Sequence, residues 1–127
     1  MRLLRMQTSR CMIAVGLMAF CFVGRACYFR YAGRPFDPAA WQDPVRVKQG
    51  VRLAMADRLI GRGALVGKTR AEAIALLGKP SDEGYFREWD LVYWLGPERG
   101  FISIDSEWLV LRIGRDDKVI ECRIVRD

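Results

Sequence analysis

The stretch G61-RGALVGKTRAEAIALLGKP-80 decides how this chain is read. Its first nine residues end in Gly67-Lys68-Thr69, which is how a nucleotide-binding phosphate loop ends. That loop needs a glycine five positions before the Gly-Lys-Thr glycine. Position 62 is Arg62, with Gly61 one residue early and Gly63 one late. The run also follows a helical pattern, whereas a phosphate loop follows a buried strand. Thr69-Arg70-Ala71-Glu72 instead forms a capping box, in which the threonine hydroxyl and the glutamate carboxylate satisfy free backbone N–H groups at a helix start. Ala71, Ile74 and Leu77 then share one face, Gly78 ends the helix and Pro80 prevents its continuation. The stretch is a helix-to-helix connector followed by a complete short helix. No nucleotide is expected.

Upstream, Asp43-Pro44 suits an N-cap and first helical position. Val47, Val51, Met55 and Leu59 recur every four residues, predicting a helix over about 44–60. Gly50 inside it costs roughly 1 kcal/mol relative to alanine.

Downstream, the period changes to two. Residues 85–95 are aromatic-rich and β-prone, and 107–113 place Leu109, Leu111 and Ile113 on one face. A hairpin loop at 114–117 leads into 118–125, with Ile120, Cys122 and Ile124 on one face; Cys122 reads as a small buried hydrophobe. Ile102 and Ile104 are apolar at even positions, out of phase with the odd stripe that follows. A bulge or break is therefore expected near Asp105-Ser106. Helix, helix and three antiparallel strands make an α+β fold, with two helices packed on one sheet face (ααβββ) and preceded by an apolar N-terminal segment.

That segment explains the charge. Residues 1–42 carry six arginines against Asp37, whereas 43–127 carry 15 Lys or Arg against 14 Asp or Glu. The basic balance belongs to the N-terminal arm, and a nucleic-acid partner is not expected of the folded part. The apolar run at 11–24 has the length of a secretory signal core and is short for a membrane span. Residues 1–26 read as a signal peptide or a membrane anchor, and 27–42, with two prolines, as a linker before the domain at 43–127. Cleavage after Ala26 would expose Cys27 as a lipid-attachment site, although Gly24 and Arg25 occupy positions where lipoprotein signals normally have a bulky aliphatic and a small residue.

The chain has no histidine, and its four cysteines form no Cys-x-x-Cys spacing. Triad, Cys-His and imidazole-metal chemistry are thereby excluded, and no cofactor or metal is expected. Two carboxylate pairs, Glu88/Asp90 and Asp105/Glu107, sit two apart on expected strands. Such pairs usually line the solvated side of a sheet. A small envelope hydrolase using Asp105 or Glu107 is the alternative reading, and a membrane-anchored regulator is a third. Trp94 and Phe101 flank a Gly-Pro loop carrying Glu98 and Arg99, a combination suited to partner contact because Trp and Arg are enriched at interface hot spots.

Gly67-x-Thr69, the helix ending Leu77-Gly78-x-Pro80, the strand with Trp89 and Tyr93, and the closing hairpin at 109–125 together resemble the SmpA/OmlA group, the BamE-type lipoproteins of outer-membrane β-barrel assembly. The resemblance covers roughly 41–127 and is most specific over 67–80. It implies a two-helix, three-strand domain, a lipidated cysteine after a signal peptide, a periplasmic location in the cell envelope, and an accessory scaffolding role without catalysis. The partners it implies are the membrane, through the N-terminal segment, and another envelope protein.

Overall fold

A computed structural model describes residues 33–127. Residues 1–26 and Cys27 lie outside the described residues.

Among the described residues four short helices precede the sheet: α1 (Pro38–Gln42), α2 (Pro44–Lys48), α3 (Val51–Gly61) and α4 (Arg70–Leu77). The sheet is β1 (Leu91–Pro97), β2 (Ser106–Ile113) and β3 (Val119–Arg126), antiparallel in the order β1-β2-β3. Helices packed with a three-stranded antiparallel sheet are as expected; the number of helices is larger. Helix α1 falls in the stretch read as linker. Asp37 accepts from the Ala39 N–H at 3.0 Å, and Pro38 supplies the first turn. Trp41 is fully buried in the core, and Gln42 Nε2 donates to the Leu76 carbonyl at 3.0 Å, satisfying the C-terminal end of α4.

The single helix expected over 44–60 is two. Asp43 caps α2 by accepting from the N–H groups of Val45 and Arg46. The chain then turns at Gly50, whose φ of 80° lies in the left-handed region, before α3 begins. The four-residue apolar stripe survives the break: Val51, Met55 and Leu59 are buried, and Val47 packs against them.

The capping box at Thr69 forms as read, with Glu72 N–H donating to Thr69 Oγ1 at 3.2 Å and Thr69 N–H to Glu72 Oε2 at 2.8 Å. Its buried residues are Ala73 and Leu77, with Ile74 partly covered, so Ala71 is not on the core face. The connector does more than join helices. The Gly67 N–H donates to the Val119 carbonyl at 2.8 Å, and the Val119 N–H donates to the Lys68 carbonyl at 2.8 Å. The Arg70 N–H donates to Asp117 at 3.0 Å. Backbone donors that a phosphate loop would leave free here bind the β2–β3 turn.

The core joins Leu91, Tyr93 and Leu95 of β1, Leu109 and Leu111 of β2, and the helices. The opposite sheet face carries a smaller cluster: Val92, Trp108 and Val110, with Phe86, Trp89, Trp94 and Val125 against it. Strand β1 starts at Leu91 rather than 85, because residues 85–90 turn across this outer face, bringing the Tyr85 ring to 5.1 Å from that of Trp108. Two register shifts occur. One leaves Leu95 as an extra residue between Trp94↔Trp108 and Gly96↔Glu107. The other leaves Ile120 extra between Ile113↔Val119 and Arg112↔Glu121. Ile120 therefore faces solvent and Val119 takes the core position expected for it, while Cys122 and Ile124 pack against the core on the expected face, each only partly buried. At Asp105-Ser106 the outcome is a break: 101–105 form no strand, and β2 begins at Ser106.

Candidate contact surface at the loop between β1 and β2

The loop of residues 98–105 leaves β1 just after the extra residue and returns to β2 at Ser106. Its stem is closed by the Glu98 N–H donating to the Asp105 carbonyl at 2.8 Å. Ser103 Oγ donates to the Glu98 carbonyl at 2.7 Å, bracing the loop from within. The Ser106 N–H donates to Asp127 Oδ1 at 2.6 Å.

Beneath the stem sits Glu107, the only charged side chain fully buried among the described residues. Arg99 surrounds it. The Arg99 N–H donates to Glu107 Oε1 at 2.9 Å, its Nε to Oε2 at 3.0 Å and its Nη2 to Oε2 at 2.7 Å. The far side of the guanidinium donates from Nη1 to Asp57 Oδ2 of α3 at 2.5 Å. Arg126 bridges Glu98 at 2.6 Å and approaches Glu107 at 3.5 Å. Burial is the largest influence on the Glu107 carboxyl and pushes its pKa up. The hydrogen bonds and charge of Arg99, with the charge of Arg126, outweigh it and hold the pKa below the usual value. The Arg99 guanidinium is held even more firmly protonated than usual, first by its bond to Asp57 and then by Glu107.

Of the residues singled out by sequence, Glu98 and Arg99 lie together in this stem, each committed to an internal ion pair. Phe101 stands fully exposed at the tip. Trp94 belongs elsewhere. It is half-buried on the outer sheet face, its N–H donates to Ser81 Oγ at 3.1 Å, and its carbonyl accepts from Arg52 Nη1 at 2.9 Å. No aromatic ring pair joins Trp94 to Phe101 among the described residues.

Asp105 and Glu107, expected to share a face, have opposite surroundings: Asp105 is exposed in the loop and Glu107 is buried. A carboxylate already accepting from a guanidinium and an N–H is a structural acceptor and a poor proton donor. Glu88 and Asp90 precede β1 rather than lying on it, and Asp90 Oδ2 accepts from the Ile113 N–H at 2.7 Å. Among the described residues no His, Cys, Asp or Glu group could hold a metal, and no helix is long and apolar enough to cross a membrane.

Sequence reasoning missed Asp57 and Arg126 as anchors and Ile102 and Ile104 as surface. The signal for the isoleucines was present. Their even phase conflicts with the β2 stripe, and residues that cannot join the sheet's inner face are free to point outward. Comparison with known proteins returns no match: no family model fits the chain, and neither a curated protein nor a solved structure aligns with it significantly.

Proposed function

We propose that this chain is a non-enzymatic, membrane-tethered domain of the bacterial cell envelope, acting in the periplasm as an accessory interaction or scaffold module like the β-barrel assembly lipoproteins it resembles. The arginine-flanked apolar run at 11–24, as an uncleaved anchor or as a signal whose removal leaves Cys27 for lipid attachment, supports the tether. The order of helices then antiparallel sheet is compatible with the resemblance.

The observation that carries the reading is the construction of the 98–105 loop. Glu98 and Arg99 are turned inward onto Arg126, Glu107 and Asp57, while Phe101, Ile102 and Ile104 are turned out and Asp105 is exposed at the stem. That arrangement is suited to contact, and it separates the exposed Asp105 from the buried, ion-paired Glu107, so the two carboxylates do not form an acid–base pair. The half-buried Trp94, in the aromatic cluster on the outer sheet face, supplies a second surface on which an envelope protein could rest.

Two measurements test it. A periplasm-dependent reporter fused after Asp127 should be active; an inactive reporter removes the envelope reading. A photo-crosslinker in place of Trp94 should capture one recurrent envelope protein in cells. Failure to capture any would count against the scaffold role.

A further inference from the structure

The tip of the 98–105 loop is apolar and unusually open. Among the described residues seven large hydrophobics are exposed, and three of them, Phe101, Ile102 and Ile104, fall in this one four-residue stretch. Ile102 and Ile104 retain 67% and 84% of their surface. Scattered exposed hydrophobics need no explanation, whereas a cluster on a braced loop marks a binding surface.

The course of the chain indicates what meets it. The described domain begins at Gly33, which lies against α3 so closely that a Cβ there would stand 3.1 Å from Arg58 Cβ. The Arg34 N–H donates to the Ala54 carbonyl at 2.5 Å. Asp57, the α3 residue that anchors Arg99, sits on the same helical turn as Ala54 and Arg58. The point where the N-terminal arm joins the domain and the anchor of the apolar loop are thus on one turn of one helix. The arm is also short. Eight residues separate the apolar run ending at Gly24 from Gly33, so the extended arm spans at most roughly 28 Å. A domain of this length has a radius of gyration of roughly 12 Å, hence a width close to the whole reach of the arm. A membrane that holds the run holds this side of the domain near its surface.

We propose that Phe101, Ile102 and Ile104 enter the interfacial layer of the membrane that tethers the chain, so that the loop is a second, shallow lipid contact fixing the domain's orientation. The proposal rests on the tether reading above. Shallow entry of the tip leaves the charges of the loop at its stem, where Glu98 and Arg99 remain paired. The exposed Asp105 stays at the base, where its carbonyl accepts from the Glu98 N–H, and the Ser103 hydroxyl already donates to the Glu98 carbonyl. The contact is interfacial rather than spanning, because the loop's irregular backbone needs hydrogen-bonding groups around it.

The test uses the full chain in its native membranes, with p-benzoylphenylalanine in place of Ile102 or, separately, of Val66. Val66 is also exposed, but it lies in the connector that pairs with the β2–β3 turn, at the opposite end of the sheet. Both are solvent-exposed sites, so the fold should tolerate the probe. After photolysis, mass spectrometry should find phospholipid adducts at position 102 and none at position 66. Equal lipid labelling at both positions, or a protein adduct at 102 in place of lipid, overturns the proposal. An alkaline wash of the membranes separates the two readings. Release of the chain refutes the tether and the loop contact together. Retention without a lipid adduct at 102 refutes the loop contact alone.

Discussion

Arg99 encloses the carboxylate of Glu107 with its backbone N–H, its Nε and its Nη2, at 2.9, 3.0 and 2.7 Å. Main chain and side chain of one residue thus hold both oxygens of a group that has no exposed surface. Breaking a fully buried pair costs about 3–5 kcal/mol because the surviving charge is stranded. Here Arg99 is itself partly open to water and Arg126 remains nearby. Arg99→Ala should therefore destabilise the domain by about 2–3 kcal/mol, read from the urea midpoint. Arg99→Ala with Glu107→Leu should recover part of that loss, since no buried charge is left. A double variant as unstable as the sum of its parts would mean that the pair is not coupled.

The same pair sets the acid limb of stability. The Glu107 carboxyl is held below its ordinary pKa of 4.5, so the unfolded chain binds the proton more tightly than the folded one. The stabilisation is complete above the unfolded value and is lost as pH falls through the lower folded value. Denaturant midpoints should fall on acidification below about pH 4.5. In Glu107→Gln that limb should be shallower and stability at neutral pH lower. An unchanged acid limb would show that other carboxyls govern it.

Tyr93 ties the sheet to the end of α4, its hydroxyl donating to the Gly78 carbonyl at 3.0 Å. Tyr93→Phe should cost about 1 kcal/mol, the net value of one such bond with its acceptor left unpaired. Burial, partly opposed by the charge of Arg52, pushes the phenol from 10.0 up to about 12. A raised pKa contributes stability below the unfolded value that is lost as pH rises towards about 12. Spectrophotometric titration should show one tyrosine ionising last, and that step should vanish in Tyr93→Phe.

Gly96 has a φ of 145°, and a Cβ there would meet Leu53 Cδ1 at 2.8 Å. Strain and overpacking act in the same direction, so Gly96→Ala should destabilise by about 1–3 kcal/mol in thermal unfolding. Leu53→Ala in the same chain should relieve part of the alanine's effect. A neutral Gly96→Ala would mean that the strand end adjusts freely.

What could be read from sequence was what short-range chemistry dictates. The Thr69 capping box, the Asp43-Pro44 start and the odd stripe of β2 each depend on residues within one turn or one strand. The misreadings share a long-range cause. Residues 38–42 looked like linker because their helix is held by tertiary contacts, Trp41 in the core and Gln42 on α4. The turn at Gly50 is hidden in the sequence because the four-residue stripe continues through it. Ile120 and Val119 exchange roles because one extra residue in a register cannot be read from alternation alone. In the loop, Glu98, Arg99 and Phe101 were legible as a polar and aromatic set. The inward commitment of the charges was not, since Asp57 and Arg126 lie 42 and 27 positions from Arg99.

The bridge from Gly67 and Lys68 to Val119 has a consequence for how the protein meets copies of itself. β3 is an outermost strand, and unpaired backbone at such a strand is a template for stacking with another chain. The connector occupies its first rung, while Glu121, Arg123 and Arg126 place charges along the remainder. At the other margin, the Ser81 N–H donates to the Val92 carbonyl at 2.7 Å and Ser81 Oγ accepts from Trp94, filling part of the open side of β1. A three-stranded sheet has two margins for only one interior strand. This chain blunts both with backbone from its connecting segments, so protection against aggregation is written into the loops.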